Sequence, residues 1–60
     1  MKMYFAKYLW EDRHGKGTDG MLIDMPDSCT ARQLEDEIYH KAQGLYGENI
    51  VVYFLDIKRL

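Results

Sequence analysis

Few side chains in this sequence are of types that do chemistry. There is one cysteine, Cys29, and there are two histidines, His14 and His40. A thiol beside an imidazole can act as a nucleophile, and Cys29 lies just before a predicted helix start, where the helix dipole favours a thiolate. His14 and His40 are far from it along the chain, and His40 faces outward in the helical register given below. Only the fold can bring such a pair together; otherwise Cys29 is a small packing residue. Cys29, His14 and His40 match no metal-ligand spacing, so no metal and no cofactor are expected. The run Gly15-Lys16-Gly17-Thr18 lacks the full spacing of a phosphate loop and precedes a strand, not a helix, so it reads as a turn. Glu35, Asp36 and Glu37, with Asp24, Asp27 and Glu48, could form a negative surface that steers onto a basic partner. Nothing near them suggests the buried pocket that raises a carboxylate pKa for acid–base work. The chain is therefore expected not to be an enzyme.

The bulk numbers narrow the class. Sixty residues make a single domain, 1–60. A chain of that length buries only about 60% of its unfolded surface, so its stability is marginal. Small scaffolds often add a disulfide, a metal or a partner subunit. One cysteine excludes an internal disulfide and a Cys-rich zinc site, which leaves oligomerisation. A hydrophobic fraction of 47% argues for a folded domain. A net charge of −2 argues against a dedicated nucleic-acid binder. No apolar run reaches the about 18 residues that a membrane span needs. The N-terminus reads as strand, not as a signal peptide, and the expected location is the cytoplasm.

The elements that must position any site follow in order. Met3 to Trp10 is rich in aromatic residues and free of Gly and Pro, so it reads as a strand. Met3, Phe5, Lys7 and Leu9 point one way, and Tyr4, Ala6, Tyr8 and Trp10 the other. Both sets are largely apolar, which suits a central strand. Glu11 to Gly20 holds three glycines and five charged residues and reads as a hairpin loop, with glycines free to take positive φ. Met21 to Met25 is an edge strand ended by Pro26, with Met21, Ile23 and Met25 on one face. Thr30 to Gln33 fits a capping box. Ala31, Leu34, Ile38, Ala42 and Leu45 then form a helical stripe, and Gly44 or Gly47 closes it. Arg32 with Asp36, and Glu37 with Lys41, are spaced for helix ion pairs. Ile50 to Ile57 is the third strand, with Val51, Tyr53, Leu55 and Ile57 on one face and Ile50, Val52 and Phe54 on the other.

The order ββαβ predicts an α+β fold: a three-stranded antiparallel sheet, order 2-1-3, with one helix packed on one face. The small Ala6 favours Tyr4, Ala6 and Tyr8 beneath the helix, although register is not fixed by the sequence. Phe5, Lys7, Leu9 and Tyr53 would then share an uncovered face. An apolar face of that kind marks an interaction surface. Aromatic residues on an open sheet also suit stacking by single-stranded RNA, but the acidic balance disfavours it.

Taken whole, the aromatic strand Tyr4-Phe5-Ala6-Lys7-Tyr8, the turn Gly15 to Gly20, the capped helix from Thr30 and the closing strand Ile50 to Ile57 form a recognisable pattern. It resembles that of short phage and prophage proteins of uncharacterised function. The resemblance covers the whole chain, but it is a pattern and carries no functional residue. It implies a class only: small acidic phage proteins that bind and block a host enzyme or defence complex, anti-CRISPR proteins among them. The expected function is thus protein binding through Phe5, Lys7, Leu9 and Tyr53, or through Glu35 and Asp36. The alternative is a homodimer paired through its sheet face. No direct nucleic-acid contact and no membrane contact are expected.

Overall fold

The computed structural model describes residues Met1–Leu60. The chain runs β1 (Lys2–Asp12), β2 (Gly15–Met25), α1 (Ala31–Tyr46) and β3 (Val51–Arg59). The sheet order is β2-β1-β3, with antiparallel pairing on both sides of β1. The expected ββαβ architecture and the central place of the aromatic strand are both present. One helix lies on one face of the sheet.

The hairpin is longer than the sequence reading has it. Glu11 to Gly20 is not a loop: β1 continues to Asp12, β2 starts at Gly15, and only Arg13 and His14 turn. Neither turn residue has positive φ, so the turn is not of the usual mirror-image type. The Asp12 carboxylate holds it instead, accepting from the His14 N–H at 2.8 Å and the Gly15 N–H at 2.9 Å. Gly15, Gly17 and Gly20 do not use positive φ either; Gly47 alone does. Gly17 and Gly20 are small for reasons of space. A Cβ on Gly17 would lie 3.1 Å from the Trp10 ring, and one on Gly20 would lie 2.7 Å from Phe5 Cζ. Aromatic rings on β1 fill the gaps that the glycines leave on β2.

The helix starts as its capping box dictates. Thr30 Oγ1 accepts from the Gln33 N–H at 3.2 Å, and Gln33 Oε1 accepts from the Thr30 N–H at 2.9 Å. It ends at Gly47, with φ of 114°. Its buried residues are Leu34, Ile38 and Ala42. Two members of the predicted stripe are out of place. Ala31 is exposed, and Leu45 is 65% exposed. The stripe runs by steps of four from Leu34 to Tyr46, which is partly buried against the core. The straight four-residue row drifts from a mixed three–four row by about one position over three turns. The spaced ion pairs Arg32–Asp36 and Glu37–Lys41 do not close. The one ion pair joins the Met1 amino group to Asp27 at 3.3 Å. Ordering two long exposed side chains costs about as much as the contact returns.

The core lies between helix and sheet. Ala6, Tyr8, Ile23, Met25, Leu34, Ile38, Ala42 and Ile50 are buried, as the Ala6 argument expects. Ile50 comes just before β3; Tyr39 anchors it by donating its hydroxyl to the Ile50 carbonyl at 2.8 Å. β3 differs from simple alternation. Lys7 pairs with Asp56 but Tyr8 pairs with Phe54, so Leu55 is an extra, bulged residue. The bulge moves Ile57 to the helix side with Val52 and Phe54, all three of which pack on the core. It leaves Leu55 52% exposed.

Candidate protein-contact surface

Three strands with a single helix leave one sheet face bare. Pairing fixes its rows, because residues opposite one another in an antiparallel ladder share a face. Leu22, Phe5 and Lys58 form one row, and Gly20, Lys7 and Asp56 the next. Thr18, Leu9 and Tyr53 follow, then Lys16, Glu11 and Val51. Phe5, Lys7, Leu9 and Tyr53, the residues expected on the uncovered face, are thus brought together. Phe5 and Lys7 are exposed, Leu9 is half-buried, and Tyr53 is 52% exposed. Met3, Leu22 and Val51 extend the apolar surface, Leu22 being 60% exposed. The sequence marks Leu22 only as lying opposite the core face of β2. It joins Phe5 through register, which the sequence does not fix.

The charges of this face cancel. Lys7, Lys16 and Lys58 stand against Glu11, Asp24 and Asp56, and all six are exposed. The whole chain carries −2, so that excess lies entirely away from the open face. Glu35 and Asp36 are exposed on the helix, on the opposite side of the molecule from Phe5 and Tyr53. The structure therefore separates the two expected contact surfaces: a neutral apolar sheet face and an acidic helix back.

At the rim of the core sits a polar cluster that sequence reasoning misses. Asp19 pairs with Tyr8 across the ladder and lies on the helix side. Its Oδ2 accepts hydrogen bonds from the Tyr46 hydroxyl and, at a long 3.5 Å, from the Tyr8 hydroxyl. Trp10 stacks on Tyr46 with ring centroids 4.5 Å apart and planes 15° from parallel. The Tyr46 hydroxyl and the Gly20 N–H hold the Asp19 carboxyl below the usual carboxylate range. Burial, then the Asp19 charge, pushes the Tyr8 phenol up to about 12. The Asp19 hydrogen bond pushes Tyr46 up as well. Extending the alternation of Met25, Ile23 and Met21 back by one step places Asp19 on the core face. The surrounding glycines hide that step.

Cys29 and His40 line one shallow groove of about 440 Å³ with Met25, Pro26, Asp36 and Glu37, but no hydrogen bond joins thiol to imidazole. The neighbour of the Cys29 thiol is Tyr4, whose phenol is pushed up by burial and then by the thiol. His14 is at the hairpin turn, beside a second groove of about 390 Å³ next to Tyr46 and Glu48. No group of three or more His, Cys, Asp and Glu side chains is placed to hold a metal ion. No helix is long and apolar enough to cross a membrane. The chain matches no protein-family model, no curated protein and no solved structure.

Proposed function

We propose that this chain is a protein-binding module, without catalysis of its own, whose working surface is the open sheet face. One observation carries the reading. Met3, Phe5, Leu22, Val51, Tyr53 and Leu55 are each 39% to 60% exposed, and five of them share the face that the helix does not cover. Contiguous exposed apolar groups rimmed by charge are typical of contact sites, and aromatic residues dominate their energetics. The resemblance to small acidic phage proteins supports a class for the activity: modulation of a host protein or defence complex. The exposed Glu35, Asp36 and Glu37, none of them in an ion pair, favour a second contact by the helix with a basic target.

Phe5→Ala and Tyr53→Ala test the sheet-face reading. Both residues are exposed, so circular dichroism should show the native fold retained. Each should weaken self-association or capture of a target by about tenfold or more. If both variants fold and leave both activities unchanged, the sheet face is not the working surface.

A further inference from the structure

We infer that the occupant of the open sheet face is a second copy of this chain, stacked on it about a two-fold axis parallel to the strands and between β1 and β3. The inference rests on the reading of that face as the working surface and names its partner. Charge layout points to it first. The face has no net charge, so a strongly charged foreign surface gains nothing there, whereas a second copy meets no net repulsion. The order of the charges is also self-complementary. The axis sets each β1 over β3 of the second copy in the same row. Lys7 then meets Asp56 of the second copy and Asp56 meets its Lys7. Leu9 meets Tyr53, and the Phe5 ring meets the Lys58 stem and ammonium. Each contact occurs twice, as an isologous two-fold interface requires. Packed sheets rotate by about 30°, which displaces the strand ends most and the central Lys7–Asp56 row least.

Area sets the strength. Three strands about 4.8 Å apart, each roughly ten residues long at about 3.3 Å per residue, offer a face on the order of 450 Å². The axis offsets the two copies by one full strand spacing, so β1 and β3 of each are covered and β2 is not, and on the order of 600 Å² is buried in total, in the range of weak, transient contacts. The dimer is therefore weak and dissociates on dilution. Its helices lie on its two outer surfaces, so Glu35 and Asp36 stay free.

Sedimentation equilibrium over a dilution series, on the wild type and two charge reversals, tests this. The wild type should pass from two-chain to one-chain mass on dilution. Lys7→Asp and Asp56→Lys each stack like charges at the axis, and each alone should weaken the dimer by about tenfold or more. Mixed in equal amounts, they should regain the two-chain mass. Only between unlike copies does the new carboxylate of the first variant meet the new ammonium of the second, while the native Lys7 and Asp56 that remain meet each other. A wild type of one-chain mass at every concentration overturns the inference. So does a dimer that ignores both reversals, or a folded pair of variants that stays monomeric when mixed. If either reversal does not fold, Tyr53→Ala replaces it, and a dimer unaffected by that change overturns the inference. A monomer that captures a foreign protein and loses it on Tyr53→Ala overturns the second copy as occupant but leaves the sheet-face reading standing.

Discussion

Asp19 is the residue whose placement has the largest physical consequence. It is an inward-pointing charge near the middle of an edge strand, a device that discourages edge-to-edge pairing. It also accepts from the buried Tyr8 hydroxyl and from Tyr46. Asp19→Ala should cost about 1 to 3 kcal/mol by urea unfolding, because the Tyr46 and Tyr8 hydroxyls both lose the carboxylate that accepts from them. The pH dependence has a definite sign on each side. The folded-state pKa of Asp19 is depressed, so its contribution is present above the ordinary value of 3.8 and is lost as pH falls below it. The Tyr8 pKa is raised from 10.0 to about 12, so the neutral phenol stabilises the fold below pH 10 and that contribution is lost as pH rises from 10 towards 12. Unfolding midpoints against pH should therefore fall at both ends, and Asp19→Ala should remove the acid limb attributable to this group. The two strand glycines separate by the freedom of the ring above them. Trp10 is held by its stack on Tyr46 and cannot give way, so Gly17→Ala should destabilise by about 1 to 3 kcal/mol. Phe5 ends in solvent and can swing aside. Gly20→Ala should thus change stability by less than about 1 kcal/mol while weakening whatever the open face binds.

The elements are legible in the sequence where one strong local rule governs them. The Thr30–Gln33 box sets the helix start, Pro26 sets the end of β2, and the apolar runs mark β1 and β3 as strands. The hairpin is hidden because three glycines and five charges signal a loop. Its pairing is held by tertiary features invisible in β2 itself: the Asp12 cap and the rings of Phe5 and Trp10 from the neighbouring strand. The position of Ile57 is hidden because a bulge breaks the period of two, and nothing in Phe54-Leu55-Asp56 announces one. That bulge makes a specific prediction. Removing Leu55 leaves every β1–β3 pair in place and only regularises the ladder. Deletion of Leu55 should therefore preserve the fold, whereas deletion of Tyr53 puts a core-facing side chain on the open face either way: Val52 if the bulge stays, Phe54 if the ladder closes over it. Circular dichroism and thermal melts of the two deletions distinguish these outcomes. At the start of the helix, Thr30→Ala should cost about 1 kcal/mol.

At the scale of the whole molecule, the chain measures 37 × 17 × 15 Å. The long axis is that of the hairpin, whose eleven-residue strands rise about 3.3 Å per residue. The sixteen-residue helix covers only about 24 Å of it. Only eight residues are buried, in a domain whose total stability is expected at roughly 3 to 9 kcal/mol. Ile38→Ala, which empties a fully buried site on the helix, should cost about 2 to 5 kcal/mol and leave much of the chain unfolded at 25 °C. A core this small gains from anything that covers the second face. That need is legible in the two-sided apolarity of Met3 to Trp10; the identity of the cover is not, because it depends on register across three strands.

The most direct test of the open face as working surface is the solution mass of the wild type and of Tyr53→Ala, measured by light scattering side by side over the same dilution series. The account predicts a wild-type mass that falls from two chains to one and a folded Tyr53→Ala that stays at one chain throughout. Two superimposable curves from folded proteins, both dimeric at high concentration, would place the association elsewhere and contradict it.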